Sequence, residues 1–269
     1  LKANLIRPSR SRHRTTAFMV ESGTTVDPKT GKETRGKQRM VLNYKRLNDN
    51  TEKDQYSLPG INTIVSRVSG KEVFSKFDLK SGFHQIKMAE ESIPWTAFWT
   101  PEGLYEFLVM PFGLVNAPAD FQRRMDEAFK GTEAFIAVYI DDILVFSDNE
   151  AQHEEHLMKL TQIVRRHGLI LSPTKMKIGV NSVDFLGVKI HKNKVQLQEH
   201  ILKKIADFKE QELLTKKGLR SWLGTLNYAR MHIPNLGKML GPLYGKTSPI
   251  GEIRFNSQDW KLVREIKRM

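Results

Sequence analysis

Phe135-Ile136-Ala137-Val138-Tyr139-Ile140-Asp141-Asp142-Ile143-Leu144-Val145-Phe146 sets two adjacent carboxylates between two apolar runs. The runs are rich in β-branched and aromatic residues and read as the arms of one hairpin, with the acids at its bend. Ionised aspartate is expensive to hold in such surroundings unless a cation lies opposite. Aspartate also tolerates turn geometry without any function. The pair therefore points to metal chemistry only if acids on other elements converge with it.

Working outward, residues 73–79 read as a short strand ending at Asp78, with Gly82 just beyond. Phosphoryl transfer by two divalent ions needs carboxylates from different elements, and Asp78 and Asp141 would meet if their strands are neighbours in one sheet. Residues 95–100 and 105–110 predict a second hairpin, joined by Pro101-Glu102-Gly103. From Ala117-Pro118-Ala119-Asp120, the spacing of Phe121, Met125, Ala128 and Phe129 predicts a helix that supports the Asp141 hairpin. Asp148 or Asn149 caps the next helix, where Leu157, Leu160, Ile163 and Val164 form one stripe ended by Gly168. His153 and His156 on it lack a further ligand in register and read as solvated helix residues.

Residues 16–43 read as another hairpin, with strands at 16–20 and 39–42 around a polar loop. From residue 29 to 46 there are seven cations (Lys29, Lys32, Arg35, Lys37, Arg39, Lys45 and Arg46) and one acid, Glu33, so the tip carries positive charge outward. Near the other end the pattern turns helical. Ile201, Ile205 and Phe208 share one face, Leu219, Leu223, Leu226 and Ala229 another, and Pro234 stops the run. Strands alternating with helices, then helices alone, give an α+β fold with an antiparallel sheet and a separate helical subdomain.

At 269 residues the chain is long enough for two or three subdomains. Its 43 Lys and Arg against 30 Asp and Glu leave a net charge of +13, which favours a polyanionic partner. With no Cys, disulfides and thiolate metal sites are excluded. No apolar run approaches the roughly 18 residues that span a bilayer, so the sequence reads as soluble with no membrane partner. A start at Leu1 and an end in a helical charge pattern at Met269 suggest a segment of a longer polypeptide.

Four ordered motifs then carry a resemblance: residues 77–85 (FDLKSGFHQ), 110–118 (MPFGLVNAP), 139–142 (YIDD) and 185–187 (FLG). In order and spacing they resemble reverse transcriptases. Residues 54–62 (DQYSLPGIN) and 130–138 (KGTEAFIAV) look like the plant pararetroviruses of the badnavirus and tungro bacilliform type. The similarity runs over roughly residues 8–244, and gypsy-type retrotransposons share the motifs.

The resemblance implies a right-hand polymerase architecture. It places fingers at 1–53 and 86–116, palm at 54–85 and 117–192, thumb at 193–250, and the start of a connection region at 251–269. It implies an RNA- and DNA-templated DNA polymerase acting on RNA/DNA and DNA/DNA template-primers with dNTPs. Two Mg²⁺ ions, replaceable by Mn²⁺, would sit on Asp78, the Leu79 carbonyl, Asp141 and Asp142. Arg39 matches a triphosphate-binding arginine, with Lys32 as its partner and Lys37 the alternative. Phe83 matches the bulky residue beneath the sugar that excludes a 2′-hydroxyl, and Gln85 and Phe112 would line the same pocket. Phe112 departs from retroviral enzymes, which carry Gln there.

By the same resemblance, Lys175 would protonate departing pyrophosphate, and Leu186, Gly187 and Val188 would form a primer grip. Gly224, Asn227 and Tyr228 would track the minor groove from a thumb helix, with Trp222 and Leu226 turned into the thumb core. The parent polyprotein would also supply a protease and an RNase H, in host-cell cytoplasm and virus particles. The contrasting reading is a non-catalytic nucleic-acid-binding scaffold, which would not require Asp78, Asp141, Asp142, Arg39 and Phe83 together.

Overall fold

In the computed structural model, strand-forming runs at both ends of the first hundred residues assemble into one sheet. The structure describes residues 1–269 except 22, 24, 27–32, 35, 37 and 193. Lys32 and its alternative Lys37 lie outside the described residues. Two compact units divide the chain: Leu1–Pro59, Phe77–Ile143 and Leu157–Met176 form the first, and Gly60–Lys76, Leu144–His156 and Lys177–Met269 the second.

In the first unit, five strands lie in the order Ile6–Pro8, Gly103–Phe107, Phe98–Thr100, Thr15–Glu21 and Gln38–Leu42. The first predicted hairpin pairs Ala17 with Leu42 through Glu21 with Gln38. The second is shorter than its aromatic run suggested, pairing only Phe98 with Tyr105 through Thr100 with Gly103. Trp95 and Thr96 instead belong to a 3₁₀ turn, Ile93–Thr96, where Pro94 fixes φ and offers no N–H to a ladder. One face of the sheet buries Phe98 and Phe107 against Ile6, Ala17 and Leu42, while Phe18, Val20, Val41 and Trp99 remain exposed. Helix Ala117–Ala128 opens with Pro118 in its first turn and buries Phe121, Gln122 and Met125.

In the second unit, Lys177–Val180 lies antiparallel to the Val73–Asp78 strand, with Lys177 opposite Lys76 and Val180 opposite Phe74. Here His153 departs from expectation. It is 3% exposed, with Nε2 2.6 Å from Ser75 Oγ and Nδ1 2.7 Å from Ser147 Oγ. Ser147 Oγ also lies 2.7 Å from His156 Nδ1, and Ser75 Oγ accepts from the Gly179 N–H at 2.9 Å. Burial lowers the pKa of His153, helped by the neighbouring His156, and burial lowers that of His156 as well. The helix stripe misled because two serines on strands supply the polar partners that solvent would otherwise provide.

Strands Ser182–Phe185, Val188–His191 and Lys194–Leu197 form a separate antiparallel sheet. Phe185 pairs with Val188, so the turn between them is Leu186-Gly187 alone. Both turn residues have positive φ, 49° and 82°, as a type I′ connection requires. Gly187 has a second reason to be glycine, since a Cβ there would stand 2.8 Å from the Tyr228 ring.

The helical core centres on Leu213, Leu219, Trp222, Leu226 and Leu243. Trp222 and Leu226 are fully buried, as expected. Helix Ser257–Arg268, opened by an Asn256–Asp259 capping box, contributes Val263 and Ile266 to that same core. Residues 251–269 therefore share a core with the helices before position 250. No helix among the described residues is long and apolar enough to cross a membrane.

Two outcomes follow from these contacts. Gly187→Ala should destabilise the chain by more than about 1 kcal/mol, because alanine must hold positive φ. Adding Tyr228→Ala should recover part of the loss in urea unfolding, and strict additivity would remove the ring contact as a cause. Because the folded pKa of His153 is depressed, its contribution to stability is present above the unfolded value of about 6.5 and is lost as pH falls through the folded value. The urea midpoint should therefore decline from about pH 7 to about pH 5, and His153→Gln should flatten that decline. An unaltered slope would acquit the histidine.

Candidate active site

Backbone hydrogen bonds draw the acidic segments together. The Leu79 N–H donates to the Asp141 carbonyl at 2.9 Å, the Ser172 N–H to the Asp78 carbonyl at 2.8 Å, and the Lys80 N–H to the Ile170 carbonyl at 2.8 Å. Asp78 thus ends its strand one residue before the position that pairs with Asp141 in the acidic bend. Gly82 closes the arrangement, since a Cβ there would stand 3.0 Å from Asp141 Cβ and 3.3 Å from Phe121 Cζ.

The bend itself is strained. Strand Ile136–Tyr139 gives way to strand Asp142–Ser147 through Ile140 and Asp141. Ile140 has φ +53°, a left-handed conformation that costs an L-residue roughly 1–2 kcal/mol and is rarer still for a β-branched one. Gln122, fully buried on the helix beneath, holds it there. Its Oε1 accepts from the Ile140 N–H at 2.6 Å, while its Nε2 donates to the Val138 carbonyl at 3.2 Å and to Asp126 Oδ1 at 2.8 Å. The expected support from this helix is real, but its key residue is a glutamine that the apolar spacing passed over. A polar side chain beside Phe121 on the buried face was the available signal.

The Asp78 side chain is 15% exposed. Its Oδ2 lies 3.1 Å from Lys175 Nζ, and its Oδ1 is buried with no hydrogen-bond partner among the described residues. A largely buried carboxylate with an orphaned oxygen suits a cation ligand. Among the described residues no three acid or imidazole groups form a ready-made metal cage. Mg²⁺ keeps several waters and takes substrate phosphates, so one or two protein carboxylates suffice for it. Lys175, expected to serve the departing pyrophosphate, lies at the end of the 3₁₀ turn Pro173–Lys175, is 67% exposed, and here pairs with Asp78.

Phe83, half-buried in the 3₁₀ turn Gly82–Gln85, packs between Phe112 at 5.1 Å and Phe121 at 5.3 Å between ring centroids. Phe112 is exposed. Gln85, expected in the nucleotide pocket, is committed to backbone. Its Nε2 donates to the Lys80 and Ile170 carbonyls at 2.7 and 2.9 Å, and its Oε1 accepts from the Ile170 N–H at 3.0 Å. It straps the ladder that carries residues 170–175. Arg39 lies exposed on its strand opposite Val20.

In the second unit, Val188, Gly224, Asn227 and Tyr228 line one cavity of about 630 Å³ together with residues 60–62. Val188, one of the three primer-grip candidates, thus shares a concave surface with the minor-groove candidates. Tyr228 does not continue the helix of Gly224. That helix ends at Leu226, and Tyr228 falls in the 3₁₀ turn Asn227–Ala229 with its ring on Gly187.

The similarities to known proteins fit this geometry. The chain is 60% identical over 267 residues to Polyprotein P3 of Commelina yellow mottle virus, covering 99% of this chain and 14% of the viral protein. It is 41% identical over 268 residues to the Enzymatic polyprotein of Cauliflower mosaic virus (strain Strasbourg), covering 100% of this chain and 38% of that one. The chain therefore spans well under half the length of these relatives. Among solved structures it is similar to the foamy viral protease-reverse transcriptase in complex with RNA/DNA hybrid, with TM-score 0.75, 25% identity, and 99% of this chain and 34% of that one covered. A second foamy viral structure, in complex with double-stranded DNA, gives TM-score 0.77 at 26% identity, with 99% and 45% covered. The fold is accordingly the mixed α+β polymerase fold of those enzymes. The family model for reverse transcriptase (RNA-dependent DNA polymerase) matches residues 28–190, and the chain belongs to that family.

Proposed function

We propose that this chain is an active RNA- and DNA-templated DNA polymerase that adds dNTPs to a primer 3′-hydroxyl. The observation that carries the reading is the pairing of Leu79 with Asp141, which sets the bend beside the orphaned Asp78 oxygen. Asp78, the Leu79 carbonyl, Asp141 and Asp142 would hold two Mg²⁺, or Mn²⁺, which when bound activate the attacking hydroxyl and neutralise charge on the leaving group.

The remaining roles fall to the chain's own groups. Lys175 balances Asp78 and, on a largely exposed stem, can swing to donate a proton to departing pyrophosphate. Phe83, braced by Phe112 and Phe121, presents a rigid ring that leaves no room for a 2′-hydroxyl. An aromatic at Phe112 gives the ribose no polar partner on that side. Arg39 and Lys32 grip the triphosphate. Leu186, Gly187 and Val188 hold the primer, and Gly224, Asn227 and Tyr228 follow the minor groove by shape.

Fingers at 1–53 and 86–116, palm at 54–85 and 117–192 and thumb at 193–250 remain the assignment, with 251–269 leading toward a connection region although its helix packs on the thumb core. RNA/DNA and DNA/DNA template-primers are the partners, supported by the foamy viral relatives solved on both kinds of duplex. The viral relatives are polyproteins, which supports protease and RNase H neighbours and a place in host-cell cytoplasm and virus particles.

Primer extension on an RNA template with Mg²⁺ tests the reading. Asp141→Asn should abolish extension while template-primer affinity stays near wild type, and parallel loss of both would contradict the metal role. Phe83→Ala should incorporate ribonucleotides, so unchanged rNTP/dNTP selectivity would end the exclusion argument. Gln122→Leu leaves the Ile140 N–H without its acceptor and should cost about 1–3 kcal/mol of stability. It should also lower kcat more than it raises the KM for dNTP, and intact kcat would show that the bend holds its shape unaided.

A further inference from the structure

Asp54-Gln55-Tyr56 opens a stretch that resembles the plant pararetroviruses, and the proposed chemistry leaves its side chains without a task. In the structure they are fastened to the helix that carries Gln122. Asn116, at the N-cap position of that helix, accepts from the Asp54 N–H at 3.0 Å and donates from Nδ2 to the Glu52 carbonyl at 2.8 Å. Asp54 Oδ1 accepts from the Tyr56 N–H at 2.9 Å, and its Oδ2 accepts from Arg123 Nη2 at 2.5 Å. The Arg123 guanidinium lies 4.8 Å from the centre of the Tyr56 ring. The half-buried phenol is thereby aimed, and its hydroxyl donates to Asp126 Oδ2 at 2.5 Å.

The other oxygen of that carboxylate leads to the acidic bend. Asp126 Oδ1 accepts from Gln122 Nε2 at 2.8 Å, across one turn of the helix. An ionised carboxylate only accepts, so the amide nitrogen of Gln122 must face it and the amide oxygen is left to face the Ile140 N–H. The Val138 carbonyl asks for the same orientation, but from 3.2 Å. Asp126 is the closer partner, and its charge strengthens the bond. Tyr56 in turn restrains a carboxylate that, on an exposed residue, could otherwise rotate toward water.

We propose that Asp126 and Tyr56 are positioning residues for nucleotide addition, acting through the Gln122 head group to hold the acidic bend. The inference deepens the polymerase reading and rests on it for the kinetic measurements alone.

Single-nucleotide primer extension and hydrogen–deuterium exchange of the peptide over residues 136–146, both on the full chain, test it. Asp126→Asn, which can turn an amide hydrogen toward Gln122, should lower kcat about 10-fold, as losing a group that orients a metal-binding residue does. The KM for dNTP and the template-primer affinity should stay within about twofold of wild type. Tyr56→Phe should give a smaller loss in kcat, about 3-fold, and Asp126→Glu should recover part of the rate because it keeps a carboxylate. In a Gln122→Leu background, Asp126→Asn should change kcat no further, since no amide remains to be oriented. Exchange at the bend should accelerate in Asp126→Asn and Tyr56→Phe. A strap that merely fastens residues 52–56 would lower the urea midpoint and leave kcat and the exchange as they are. That result, or an equal loss of kcat in the Gln122→Leu background, overturns the proposal. A parent chain that extends no primer sinks the polymerase reading by itself, and the exchange then decides the clamp, with faster exchange upholding it and unaltered exchange ending it.

Discussion

The hydrogen bond from the Ile140 N–H to Gln122 Oε1 is the constraint on which the acidic bend depends. A β-branched residue at positive φ would relax if its amide were free. A buried glutamine prevents this by taking that amide on one side of its head group and the Val138 carbonyl on the other. The helix below thereby grips the end of the first arm and the bend that follows it. Asp141 is delivered at a fixed height above Gly82, where the lack of a side chain leaves just enough room.

Rigidity of this sort matters because carboxylates that gather cations repel one another when the cations are away. Asp78 is mostly shielded from water, with one oxygen resting against Lys175 and the other without a hydrogen-bond partner among the described residues. A loosely held chain would turn such groups outward to be hydrated. Here the ladder of residues 78–80 with residues 170–172, strapped by Gln85, denies that escape. Strain at Ile140 and desolvation at Asp78 are two forms of stored cost, and the surrounding packing carries both.

Much of this was legible in the sequence. The apolar flanks of Asp141, the strand before Asp78 and the spacing of Phe121 and Met125 all specify local geometry, and each element formed where its pattern placed it. Long-range partners of polar side chains were not legible. Nothing near His153 announces Ser75, which is 78 positions away. Gln85 looked like a ligand residue because the motif around it belongs to a nucleotide site, yet its amide serves a backbone ladder 85 positions on. Tyr228 shows a third kind of limit, as helical spacing from Gly224 held in sequence but the α-helix had already ended at Leu226. Periodicity reports which face is apolar, whereas the destination of a buried polar head group depends on chain segments it does not see.

The clamp at Gln122 also sets where this polypeptide can change length over evolutionary time. Between the end of the helix at Ala128 and the start of the strand at Ile136 lies a loop anchored by its own local bonds, Thr132 to the Phe129 carbonyl and Glu133 to the Gly131 N–H. Insertions and deletions can accumulate in that loop without moving the acids. A single residue gained inside the helix before Gln122 would rotate the glutamine by about 100° about the axis, away from the bend. Indels in descendants of this sequence should therefore be absorbed on one side of Ala128 and purged on the other.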